Sequence, residues 1–141
     1  MSAPDAEDAL RRTAYEILED GMFLFLEEAA LQPDDEAVVA TMRVDGGYCA
    51  TVGMLASPDV ARALASNMLG IEEADVSAPD RAAAVAEALN ILCGRLLAHL
   101  VGEEAELTLH PPVLGGGPDG AQVAFAVEGG QLALWHVPCH A

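Results

Sequence analysis

Glu87 and Asn90 stand three residues apart in "AEALNILCGRLLAHL", a stretch otherwise composed for the inside of a helix. Asparagine is a poor interior helix residue because its side chain competes for backbone hydrogen bonds. Its amide also donates and accepts at once, so it can hold a water without having to titrate. At about 100° per residue, Asp80, Ala83, Glu87, Asn90, Gly94 and Ala98 fall on one side of the helix. Two acids and an amide among the smallest side chains would let another surface approach the backbone closely. The solvated side of an ordinary amphipathic helix has the same appearance, and residue types alone leave both readings open.

The helix that would carry this stripe places Val85, Leu89, Leu92, Cys93, Leu96 and Leu100 on the opposite side, which marks that side as the core face. Ser77 caps its start with Asp80 as the capping-box partner, and it runs to about Gly102. A shorter helix precedes it, with Ser57 as N-cap, Pro58 in the first turn and Gly70 as the left-handed stop. Upstream of that, "AVVATMRVDGGYCATVGMLAS" reads as a hairpin turning at Asp45, Gly46 and Gly47. From Ala6 to Leu31 the apolar residues Leu10, Ala14, Ile17, Leu18, Met22, Phe25 and Ala29 recur at three- and four-residue steps, which predicts one long helix with a weak point at Gly21. In this helix Met22 and Phe23 to Phe25 are read as core filling. Beyond Gly102, period-two alternation around "GGGPDG" and "EGG" predicts three strands in a meander. The order α-β-β-α-α-β-β-β lacks the strict alternation of a doubly wound sheet. The expectation is a single α+β domain over 1–141, a mostly antiparallel sheet with helices packed on one face.

Composition narrows the partners. The 141 residues include 23 acidic and 6 basic ones, a net charge of −17 that repels phosphodiester backbones and anionic lipid headgroups. Nucleic acid and membrane surfaces are therefore excluded as expected partners. Hydrophobic residues make up 52% of the chain, so the low-hydrophobicity signature of disorder is absent. Cys49, Cys93 and Cys139 are odd in number, and "MSAPDAEDALRR" lacks the layout of an export signal, so a reducing cytoplasm fits best.

Other chemistry has weaker support. His136, Cys139 and His140, with His110 as a further donor, suggest a zinc cluster but lack a recognised ligand spacing, and no metal site is assigned. "GGGPDG" has no Lys-Ser/Thr after it and reads as a hairpin connection, not a phosphate loop. Cys93 lies on the buried helix face with no base nearby, which argues against nucleophilic catalysis.

Glu87-Ala-Leu-Asn90 on a helix is followed, twenty-two positions beyond Asn90, by Pro112 in "LTLHPPVLGGG". With "YCATVGMLASPDVARALASNMLG" before it and "AYEILEDGMFLFLEE" in helix one, this order resembles the CheC/CheX-type chemotaxis phosphatases, specifically the CheX-like branch. The resemblance implies a protein that removes the phosphoryl group from the aspartate of a CheY-like response regulator. It implies that Asn90 orients the attacking water and that Glu87 pairs with the regulator's lysine. It implies no cofactor of the chain's own, Mg2+ supplied by the regulator, docking along Asp80, Ala83, Gly94 and Ala98, one site per chain and a homodimer. Where the family places Asp or Ser, four residues before the Glu, this sequence has Ala83, with Asp80 one turn earlier as the nearest substitute. That departure keeps a non-catalytic CheX-like interaction module as the alternative.

Overall fold

The computed structural model describes residues 3–127 and 129–139. Its elements are α1 (Ala3–Ala14), a π-helical turn (Tyr15–Glu19), β1 (Glu27–Glu28), β2 (Val38–Gly46), β3 (Ala50–Ala56), α2 (Pro58–Leu69), a 3-10 turn (Glu73–Asp75), α3 (Ala78–Val101), β4 (Leu107–Leu109), β5 (Val113–Leu114), β6 (Ala121–Val127) and β7 (Gly130–Pro138). The seven strands form one sheet in the order β1-β6-β7-β3-β2-β4, with β5 also on β2, and every pairing is antiparallel. The three helices share one core with one face of the sheet, including Met42, Val52, Met54, Phe125, Leu132 and Leu134. The expected α+β class, with helices on one face, holds.

Helix one is shorter than its periodicity predicted. It ends at Ala14 and relaxes into the π turn, and Gly21 closes the turn because a Cβ there would lie 2.7 Å from the Ile17 carbonyl oxygen. From Phe23 onward the burial alternates in period two, so Leu24 and Leu26 are buried while Phe23 and Phe25 are 78% and 73% exposed. Phe23 and Phe25 are thus not core filling. Residues 29–37 then cross the opposite face of the sheet, where Leu31 and Ala37 pack on Leu55, Ala133 and Trp135. Reciprocal bonds hold this strap: Gln32 N donates to Gln131 Oε1 at 2.8 Å and Gln131 Nε2 donates to the Gln32 carbonyl at 2.6 Å.

The predicted meander also changes. His110, Pro111 and Pro112 interrupt the first strand, and its two pieces, β4 and β5, add to the outer edge of β2 while β6 and β7 form a hairpin on the far side. Prolines lack the N–H that a continuous ladder needs, which accounts for the break. Ser57 stands at the N-cap position of α2, yet its hydroxyl accepts from Gln131 N at 2.8 Å and donates to the Gln131 carbonyl at 3.2 Å. Two of the three cysteines are joined: Cys49, after the β2–β3 turn, is bonded to Cys139 beyond β7. Cys93 alone stays free.

By length and hydropathy α3 could cross a membrane. Eight of its residues, from Ala84 to Leu97, are instead buried against the sheet and the other helices, which is the packing of a core helix.

On the strap side Trp135 lies directly across from Gly53 and is only 1% exposed. A Cβ at Gly53 would collide with the indole. Gly53→Ala is expected to lower unfolding free energy by about 1–3 kcal/mol, read by urea denaturation, because overpacking forces the ring off its rotamer; unchanged stability would contradict this packing. The Cys49–Cys139 bond spans 90 positions. Its reduction by dithiothreitol is expected to lower stability by about 2–4 kcal/mol, through the entropy returned to the unfolded chain.

Candidate functional site

The orientation of α3 follows from both ends of the sequence that builds it. At its start Asp80 N donates to Ser77 Oγ at 3.2 Å and Ser77 N donates to Asp80 Oδ2 at 3.0 Å, so the predicted capping box forms. That backbone hydrogen bond, then the hydroxyl's, holds the Asp80 carboxyl below its usual range. Its oxygens are therefore turned toward the helix start. Along the helix, Val85, Leu89, Leu92, Cys93 and Leu96 are buried as the periodicity required, and Leu100 is half-buried.

The opposite side carries the candidate residues. Ala83, Glu87, Asn90 and Gly94 are exposed, while Asp80 and Ala98 are half-buried. Among the described residues, neither the Glu87 carboxylate nor the Asn90 amide has a hydrogen bond or ion pair. The nearest charged network lies to one side of the stripe and is satisfied within itself. Glu16 there meets His99 Nε2 at 3.1 Å, Arg12 Nε at 3.5 Å and Arg95 Nε at 3.7 Å. The hydrogen bond with His99 is the leading reason that the Glu16 carboxyl sits below its usual range.

A trough of about 520 Å³ begins beside the pair and runs along the C-terminal half of α3. Gly94 and Ala98 line it together with Ile17, Ile91, Leu107 and Leu109. Sequence reading missed its walls because Ile17 and Leu109 are distant in the chain. Nor did it anticipate Leu114, which pairs with buried Ala40 and so shares the helix side of the sheet. Leu114 is nevertheless 62% exposed. β5 lies against α3, bringing the Pro112 segment of the sequence pattern next to the helix.

The weaker candidates separate. His136 is 2% exposed within the core and its Nε2 lies 2.8 Å from the Tyr48 hydroxyl. Burial holds the His136 ring below the usual imidazole pKa. Cys139 is in the disulfide, His110 Nε2 meets Asp45 Oδ2 at 2.5 Å, and His140 lies outside the described residues. Among the described residues no three metal-binding side chains come together. Burial pushes the Cys93 thiol up to about 12, leaving no thiolate to act as a nucleophile near neutral pH.

The family model described as "Chemotaxis phosphatase CheX" matches residues 38–128. Among solved structures, the chain is similar to the chemotaxis protein CheX of Vibrio vulnificus, with TM-score 0.75 and 15% identity over 97% of this chain and 98% of that one. It is similar to the CheX of Desulfovibrio desulfuricans, with TM-score 0.69 and 16% identity over 95% and 99%. A third likeness is to the CheX–CheY–BeF3–Mg2+ complex of Borrelia burgdorferi, with TM-score 0.68 and 16% identity over 93% and 95%. No curated protein sequence matches.

Since the Glu87 and Asn90 side chains bond to nothing among the described residues, Glu87→Ala and Asn90→Ala are each expected to change unfolding free energy by no more than about 0.5 kcal/mol. Leu89→Ala, on the buried side, is expected to cost about 2–5 kcal/mol. Thermal and urea denaturation of the three variants check this contrast.

Proposed function

Because the chain belongs to the chemotaxis phosphatase CheX family, we propose that it hydrolyses the aspartyl phosphate of a CheY-like receiver domain, with Asn90 and Glu87 entering the receiver's site. What supports this reading most is the free state of the Asn90 amide: exposed, in mid-helix, and bonded to nothing among the described residues. Phosphoryl transfer to water asks a protein for positioning and charge stabilisation more than for covalent chemistry. In this reading the Asn90 carboxamide accepts from and donates around a water, aiming it along the line opposite the phosphorus–aspartate bond. The water oxygen forms the new bond to phosphorus as the aspartate leaves as a carboxylate. Glu87, one turn away on the same face, pairs with the receiver's lysine and fixes the approach.

Mg2+ comes with the receiver. The Borrelia complex holds CheX and CheY together with BeF3 and Mg2+. Asp80, Ala83, Gly94 and Ala98 serve as docking surface around the pair, and a homodimer and a cytoplasmic location go with this reading.

A second reading, a CheX-like interaction module that binds its partner without turnover, is favoured by one observation. Ala83 offers no polar group where the family places Asp or Ser, and the Asp80 carboxylate is already spent on the helix cap.

Timing phosphate loss from a phosphorylated CheY-type receiver, with and without the chain, separates the two. The phosphatase reading expects acceleration by the unmodified chain and a loss of about 100-fold for Asn90→Ala, the scale of removing one positioned polar group from a transition state. Binding with no change in phosphate half-life would establish the module instead.

A further inference from the structure

Gly94 has no reason to be glycine that its own fold supplies. Glycine in the middle of a helix is unfavourable relative to alanine. A Cβ at Gly94 would meet nothing within 4 Å, and the residue does not take a left-handed φ. Neither crowding nor backbone geometry inside the chain calls for the missing side chain, and what the glycine provides is clearance on the outside of α3.

That clearance forms the floor of the trough. Val44 is fully buried on the helix side of the sheet and pairs with Leu109, so Leu109 rises beside α3 from the β4 edge. Ile17 belongs to the π turn, whose neighbour Glu16 reaches Arg95 and His99 on the other flank of α3. Ile91, 40% exposed, stands at the head of the trough, next to Asn90. The charged side chains along it are few: Arg95 is engaged with Glu16, and Glu103 lies at the far end.

Continuity with the polar pair names the occupant. Residues four apart on a helix are roughly 6 Å apart, so a folded partner close enough for its reacting group to meet the Asn90 amide also covers Gly94. Resting on the function proposed above, we infer that the trough seats an apolar side chain of the receiver adjacent to its phosphorylated aspartate. Gly94 and Leu109, both outside the polar pair, then set which receivers the chain accepts.

The test uses the full chain with a beryllofluoride-activated, Mg2+-loaded CheY-type receiver for binding, and the phosphorylated receiver for kinetics. Gly94→Leu fills the floor and is expected to leave Tm unchanged or higher, to raise both Kd and KM about 10-fold or more, and to keep kcat within about twofold. Leu109→Ser is expected to raise KM by about three- to tenfold in the same manner. Leu69→Ser, at an exposed leucine at the end of α2, is the control and should match the unmodified chain. A Gly94→Leu variant with unaltered Kd and KM overturns the inference alone. Asn90→Ala with undiminished kcat overturns the catalytic reading instead, and failure to bind any receiver overturns both.

Discussion

The burial of one side of α3 is the constraint on which the remaining structure depends. A helix packed by Val85, Leu89, Leu92, Cys93 and Leu96 has no rotational freedom, since each 100° turn about its axis would bring Glu87 or Asn90 into the core. Burying an uncompensated carboxylate or amide is far more costly than the gain from any one exposed leucine. The outward direction of the polar pair is thus a consequence of the apolar side, and the capping box at Ser77 and Asp80 fixes where along the axis the count begins. Sheet, α1 and α2 matter to the site chiefly as the surface that α3 is pressed against.

Around that helix the chain keeps its charges out of the way of the pair. Arg12, Arg95 and His99 all converge on Glu16, and none of the three meets Glu87. Asp80 is committed to the helix start. The result is a face with one carboxylate and one amide available, small residues beside them and a trough leading away between Ile17, Ile91, Leu107 and Leu109. Such a face suits a partner that brings its own metal and its own phosphoryl group.

How much of this was legible in the sequence depended on how local each signal was. The α3 boundaries, its cap, its two faces and the β2–β3 turn could be read because residues close in sequence determine them. The end of α1 could not, because "MFLFL" satisfies helical three- and four-residue steps and strand alternation equally well. Tertiary packing chose the second, with Leu24 and Leu26 inward. Ser57 shows the same limit on a smaller scale, since its hydroxyl prefers Gln131, 74 residues away, to its own helix. The Cys49–Cys139 bond and the walls of the trough likewise join positions that no local pattern connects. At the site itself the types and spacing of Glu87 and Asn90 were visible, whereas their lack of a partner among the described residues needed coordinates.

Whether the outer face of α3 is where a receiver meets this chain is most directly tested by following the side-chain amide of Asn90 by 15N NMR during titration with a beryllofluoride-activated receiver. The account predicts that this resonance and the Gly94 backbone amide shift together and saturate with the complex, while the Trp135 indole on the far side of the sheet stays in place. An unmoved Asn90 amide, with the shifts gathered instead on the strap of residues 29–37, would contradict it.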